Sequence, residues 1–244
     1  MAKRRSRRGP SAAGVVLASG AGTRVGAATN KVFLPLAGRR LVSWSLRSFA
    51  SVADIGVLLL VARPQDGELV EFVLDHEVAA DVEVVHGGKT RQESELNALR
   101  HLAQRIEAGI VDTVLLHDAA RPLVSPALIT AVLRSAREHG GAVPGMLADD
   151  LAEVGAGGDT LSRRPSETLI RAQTPQGFRA APLLAAYEQA ERERFVGTDT
   201  ASCLERFSDV PVHWVRGEQR NFKITYPHDL AIARRVLAAP PERQ

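Results

Sequence analysis

Apolar runs alternate with amphipathic stretches along most of the chain. The run "VVLA" from Val15 to Ala18 stops at a glycine and predicts a short buried strand. "LVSWSLRSFASV" from Leu41 predicts a helix, "DIGVLLLVA" from Asp54 a strand, and "ELVEFVLDHEVA" from Glu68 a helix. "VEVVHGG" from Val82 is a third strand that ends in two glycines. "RQESELNALRHLAQRI" from Arg91 places Leu96, Leu99 and Leu102 at helical spacing, and "VDTVLLHDAARP" from Val111 is a fourth strand with polar residues at its end. A further helix starts at Ser125 as N-cap, with Pro126 at its first position and Gly140 near its end. Strands alternating with helices predict an α/β fold, a Rossmann-like, mostly parallel sheet flanked by helices on both faces.

Residues 144–178 interrupt this pattern. They alternate weakly around a glycine turn at Gly155 to Gly158 and predict a protruding hairpin arm over about 144–172. Helix returns from Ala181, a strand follows from Val210, and a closing helix begins at Tyr226 with Pro227 in its first turn. One domain over residues 13–238 is expected, with a disordered arm at 1–12 and a frayed tail at 239–244.

Composition changes this picture little. Of 244 residues, 45% are hydrophobic and 24% charged, ordinary for a globular chain with a real core. No run approaches the length of a membrane span, and one cysteine, Cys203, excludes an intrachain disulfide or a cysteine zinc cluster. A cytoplasmic protein without a membrane role is expected. The net charge of +3 comes from Lys3, Arg4, Arg5, Arg7 and Arg8; the remainder is slightly acidic. No aromatic residue interleaves those cations, so nucleic acid is not expected as a partner.

Ligands of such sheets bind at the carboxyl ends of the strands. Three loops should therefore converge there: "ASGAGTR", "HGGKTRQES" and "HDAARP". The first resembles a phosphate grip. It is not a dinucleotide fingerprint, because Val25 fills the third glycine position and no acid follows at the ribose spacing. It is not a Walker A loop, because Gly26 is followed by Ala27. A pyrophosphorylase-type loop remains, with backbone N–H groups around a triphosphate and Arg24 and Lys31 neutralising its charge. Asp118, at the end of an apolar strand, suits a metal ion or an acceptor hydroxyl; a helix or turn cap beside a surface Arg121 is the lesser local alternative. His117 lacks further metal-ligand partners and reads as structural, and Cys203 as a buried helix residue.

The opening "LASGAGTRVGAATNKVFLPLAG" is similar to that of cytidylyltransferases acting on 2-C-methyl-D-erythritol 4-phosphate and of their ribitol-phosphate relatives. "HGGKTRQESELNAL", "LLHDAARPLVSPALI", "RAQTPQGF", "GTDTAS" and "NFKITYPHDL" continue the resemblance in the family's order, over most of Gly14 to Leu237. It implies a nucleotidyltransferase fold, CTP as donor, a phosphorylated polyol as acceptor and Mg²⁺ as cofactor. It further implies that Ala18, Ser19, Gly20, Gly22, Gly87, Gly88 and Ser94 bind the nucleotide and that Arg24, Lys31 and Lys223 are catalytic. Asp118, Arg121, Thr174, Asp150 and Arg164 would serve the acceptor, Asp118 also the metal, and the arm would make a homodimer.

The departures lie mainly in the arm. Asp150 and Ala152 stand where the family has threonine and lysine, and Ser166 where it has arginine; Arg163, Arg164 and Arg171 are nearby cations. Thr200 stands where an acid is common. Three functions follow: the methylerythritol-phosphate reaction, transfer to another polyol phosphate or a phosphonate, and nucleotide binding without catalysis. The intact Arg24, Lys31, Asp118 and Lys223 argue against the last.

Overall fold

The computed structural model describes residues 11–20, 30–155, 157–163 and 168–239. Its centre is an eight-stranded sheet built on β1 (Ser11–Leu17), β4 (Ile55–Ala62), β5 (Glu83–His86) and β6 (Val111–Asp118), all parallel. β2 (Pro35–Leu36) and β3 (Arg39–Arg40) form a small separate ribbon. Beyond β6 the sheet continues with β7 (Gly141–Leu147), flanked on one side by β10 (Ile170–Ala172) and β11 (Gln176–Arg179) and on the other by β12 (Val212–Arg216). β10 and β11 are antiparallel to their neighbours, so the sheet is mixed but mostly parallel.

Both faces of the central strands are buried, which is why they read as unbroken apolar runs rather than alternating ones. Val16, Leu60 and Leu115 face α1 (Leu41–Ala50), α2 (Gly67–His76) and α4 (Pro126–His139). Val15, Leu59 and Leu116 face α3 (Arg91–Glu107), α5 (Ala180–Arg192) and α6 (Thr200–Phe207). Each fully buried aliphatic side chain of these layers contributes about 1.5–3 kcal/mol. A third, small cluster of Leu36, Leu41, Leu123, Ile224 and Ala233 seats α7 (Pro227–Ala238) over one end of the sheet.

Helix starts follow the local chemistry. Ser125 caps α4 by accepting the Leu128 N–H at 3.0 Å, and Gly140 leaves that helix at φ 109°, a conformation costly for a side chain. Thr90 caps α3 through the Glu93 N–H at 3.1 Å.

Three boundaries differ from expectation. β1 begins at Ser11 rather than Val15, because Ala12 and Ala13 are small enough to be fully buried between β4 and β6. The arm is shorter than 144–172: β7 and β10 belong to the main sheet, and only β8 (Glu153–Val154) and β9 (Leu161–Arg163) make the projecting ribbon. β11 is a sheet strand where residues up to 178 read as arm, since pairing with β6 and β7 covers its backbone. Residues 1–10 and 240–244 lie outside the described residues.

Candidate active site

β1 pairs with β4 on one side and β6 on the other, so the chain reverses its winding between β1 and β6. A crevice opens at the carboxyl ends of strands around such a switch point. Here it is a cleft of about 840 Å³. All three predicted loops reach it, through Ser19 and Gly20, through Gly87, Gly88 and Ser94, and through Asp118 and Ala120.

One wall is an elbow between β5 and α3. Ser94, in the first turn of α3, accepts the Gly88 N–H at 3.0 Å, donates to the Thr90 carbonyl at 2.8 Å and meets the Ser19 hydroxyl at 2.8 Å. A Cβ on Gly87 would stand 2.4 Å from Ser19 Cβ, and one on Gly88 would stand 2.2 Å from Glu93 Cγ. Both glycines are thus required by close approach. Gly87→Ala is expected to push Ser19 off Ser94 at a cost of about 1–3 kcal/mol, the usual price of overpacking. If the elbow holds the nucleotide, KM for CTP rises about tenfold or more, and steady-state kinetics with varied CTP will show it; an unchanged KM would separate the elbow from nucleotide binding.

The floor carries the charges. Leu17 is in register with Asp118, which places that carboxylate where β6 ends. Arg91 donates through one terminal nitrogen to Asp118 Oδ1, and Lys223 Nζ donates to Oδ2 at 2.7 Å. Burial opposes ionisation of Asp118, but the Arg91 guanidinium and Lys223 ammonium hold its carboxyl far below the usual carboxylate range. Lys223 is held there by its neighbour: the Ile224 N–H donates to the Ala120 carbonyl at 2.8 Å. The Ile224 carbonyl in turn accepts Lys31 Nζ at 2.8 Å. The two lysines, 192 residues apart in sequence, are thereby tied to one short segment.

Behind the floor, a polar layer fixes the Asp118 loop. His117 is fully buried, and burial lowers its pKa to about 4, so it is neutral. Its Nε2–H donates to the Arg121 carbonyl at 3.1 Å, which leaves Nδ1 to accept the Thr174 hydroxyl at 3.0 Å. The Thr174 hydroxyl also accepts the Asp118 N–H at 3.0 Å. Arg121 donates to the carbonyls of Asn221 at 2.8 Å and Ala172 at 3.4 Å.

Ser19, Gly20, Lys31, Gly87, Gly88, Ser94, Asp118 and Lys223 therefore line one cleft. Ala18, Thr174 and Arg121 stand behind the lining rather than in it. Ala18 spends its N–H on the Val61 carbonyl at 2.7 Å and its own carbonyl on Asn30 Nδ2 at 2.6 Å. Asp150 lies away from the cleft, exposed ahead of the β8–β9 ribbon, and accepts both contacts of an Arg171 pair at 2.6 and 2.7 Å. Gly22, Arg24, Arg164 and Ser166 lie outside the described residues.

Three cleft groups escaped sequence reasoning. Arg91 reads as one more solvated charge on an amphipathic helix. Arg63 lines the cleft and forms a two-point pair with Asp66, at 2.8 and 2.7 Å. Asn30 bridges Ala18 and Asp66 and sets the position of Lys31 beside it. Only the arginine inside "GGKTRQES" carried a local signal, its place in a loop already marked by two glycines.

No group of three or more metal-ligating side chains occurs among the described residues. The carboxylates in the cleft lining are Glu93 and Asp118; a Mg²⁺ ion held mainly by substrate phosphates needs only one or two such groups. No helix among the described residues is long and apolar enough to cross a membrane.

Comparison with known proteins shows the family of the chain. The family described as 2-C-methyl-D-erythritol 4-phosphate cytidylyltransferase matches residues 12–239. The enzyme of that name from Burkholderia multivorans is 39% identical over 224 residues, covering 90% of this chain and 93% of its own. The one from Synechococcus elongatus is 36% identical over 227 residues, covering 91% and 94%. Among solved structures, 4-diphosphocytidyl-2C-methyl-D-erythritol synthase from Anaerococcus prevotii superposes with a TM-score of 0.82 at 25% identity, covering 95% of this chain and 100% of its own. The cytidylyltransferase from Thermus thermophilus does so with a TM-score of 0.67 at 30% identity, covering 92% and 98%. The chain belongs to the 2-C-methyl-D-erythritol 4-phosphate cytidylyltransferase family.

Proposed function

We propose that this protein transfers CMP from CTP to the phosphate of 2-C-methyl-D-erythritol 4-phosphate, an isoprenoid-precursor reaction, and releases pyrophosphate. The observation that carries the reading is the pairing of Lys31 and Lys223 through Ile224 on the floor of a cleft whose wall is the glycine–serine elbow. A phosphate oxygen of the acceptor attacks the α-phosphorus of CTP as the bond to pyrophosphate breaks. Little covalent chemistry falls to the protein, and its work is positioning and charge neutralisation.

In this reading Gly87, Gly88 and Ser94 present backbone and hydroxyl groups to the cytidine, and Ser19 and Gly20 face the triphosphate. Lys31, Lys223 and Arg24 offset the charge that builds between the α-phosphate and the leaving pyrophosphate. Asp118 would hold Mg²⁺ together with the triphosphate, and a bound ion would supply neutralisation of the phosphate charge. Thr174 and His117 keep the Asp118 backbone in place. The arm, with exposed Val154 and Leu161 and with Leu147 exposed at the end of β7, would dock on a second copy of the chain and bring Asp150 and Arg164 toward the partner's acceptor. A cytoplasmic homodimer follows from this assignment.

The Asp150–Arg171 pair supports a second reading. Asp150 stands where the resemblance expects a hydroxyl, with Ala152 where it expects a lysine, so the acceptor could instead be another polyol phosphate such as ribitol 5-phosphate. Incubating the protein with CTP, Mg²⁺ and each acceptor in turn, with pyrophosphate release measured, decides between them. Release with methylerythritol phosphate is expected; release with ribitol phosphate alone would replace the first reading by the second. CTP binding with no release from any acceptor would leave only a nucleotide-binding relative.

A further inference from the structure

Glu95 lies in the second turn of α3, one turn beyond Arg91, and only 1% of it is exposed. Its Oε1 accepts Arg91 Nε at 3.0 Å and the Thr200 hydroxyl at 2.8 Å; its Oε2 accepts the Tyr187 hydroxyl at 2.6 Å. These donors come from three helices, α3, α5 and α6. Arg91 is thereby held by Glu95 on one side of its guanidinium and by Asp118 on another.

We propose that Glu95 is a positioning residue of the transfer site, a core carboxylate that fixes Arg91 beside Asp118. The proposal rests on the cytidylyl-transfer reading above.

Two physical arguments carry it. First, burying a carboxylate costs several kcal/mol, and apolar residues of similar volume often serve a core as well or better. Packing alone does not account for an acid at this position. Second, Glu95, Arg91, Asp118 and Lys223 form a line of alternating acid and base from core to cleft; burial pushes the Glu95 carboxyl up, while the Arg91 guanidinium and the Tyr187 and Thr200 hydroxyls favour its carboxylate form. With Glu95 in place, Arg91 is shared between two carboxylates. Asp118 then keeps negative potential toward the cleft instead of being neutralised by two cations at once. Thr200, the first residue of α6, donates its hydroxyl to this carboxylate. A charge at position 200 would therefore lie one hydrogen bond from the one on α3.

Glu95→Gln tests this. The amide keeps the volume and can turn its oxygen to Arg91 and Thr200 and its NH₂ to the Tyr187 oxygen, so the packing survives while the charge is lost. Pyrophosphate release from CTP and methylerythritol phosphate should show kcat reduced about 10- to 100-fold, the usual effect of removing an outer-shell partner, with KM for CTP little changed. Glu95→Gln/Thr200→Asp returns a carboxylate to the same cluster, at the start of α6 where a negative charge is favourable, and should recover most of that kcat. A packing role alone predicts a lowered unfolding temperature with kcat per folded molecule unchanged, and that result overturns the proposal. So does a folded double variant that stays as slow as Glu95→Gln. Should Glu95→Gln alone fail to fold, the double variant decides: folded and active supports the role, folded and inactive refutes it. Wild-type protein in the same assay keeps the two claims apart. Its failure to release pyrophosphate would remove the transfer reading and the role of Glu95 with it, whereas an active wild type matched by Glu95→Gln removes only the latter.

Discussion

Lys223→Ala is expected to lower CTP turnover on the order of 10³-fold, the scale on which a well-placed cation acts in phosphoryl transfer. The side chain is 39% exposed and donates to Asp118, which Arg91 continues to hold. Its removal costs the fold about 1 kcal/mol, because the lysine end of the pair is screened by water and Arg91 still pairs the buried Asp118. Lys31→Ala should give a similar loss of turnover but with a larger structural effect. Lys31 is buried, and its ammonium satisfies the Ile224 carbonyl; leaving a buried acceptor unpaired costs about 1–3 kcal/mol. Steady-state pyrophosphate release combined with urea unfolding separates these contributions. Near-normal turnover in both variants would sink the assignment of the cleft to nucleotidyl transfer.

The second large effect is expected from Asp118→Asn. The two shapes are alike, but the amide has one acceptor oxygen where the carboxylate has two. Its NH₂ must then face either the Arg91 guanidinium or the Lys223 ammonium, donor against donor. Two cations also lose their shared anion. Breaking a buried pair costs about 3–5 kcal/mol, but the cations retain 34% and 39% side-chain exposure. Water screens part of the loss, and a destabilisation of about 2 kcal/mol is expected. Turnover should fall about 10²- to 10³-fold, the effect of removing one preorganised electrostatic group. Combining Asp118→Asn with Lys223→Gln should restore much of the stability by removing one unpaired cation, and none of the turnover. Recovery of activity in that double variant would mean that Asp118 serves only to neutralise Lys223.

The order of strands and helices was legible because each central strand is covered on both faces and each flanking helix on one. That arrangement writes unbroken apolar runs and 3.6-residue periodicity directly into the chain. The glycine elbow and Asp118 were legible for a related reason. A sharp turn needs glycine, and an acid at the end of an apolar strand is conspicuous. Caps at Ser125 and Gly140 were equally local.

What the sequence could not determine depends on contacts between distant segments. β11 carries only a four-residue strand, Gln176–Arg179, and it is a strand because β6 and β7 flank it, not because of its own pattern. Lys31 and Lys223 are separately ordinary lysines. Only the packing of α7 on its small apolar cluster brings the Ile224 carbonyl to Lys31 and the Lys223 ammonium to Asp118. Arg91 and Glu95 look like an exposed i, i+4 ion pair on an amphipathic helix, yet the pair is turned inward against Tyr187, Thr200 and Asp118. Helical periodicity specifies which face of α3 is buried, but the charge and hydrogen-bond partners waiting there belong to other elements. The chemistry of the loops was therefore local and readable, while the charge network that arms them exists only once the sheet has brought those elements together.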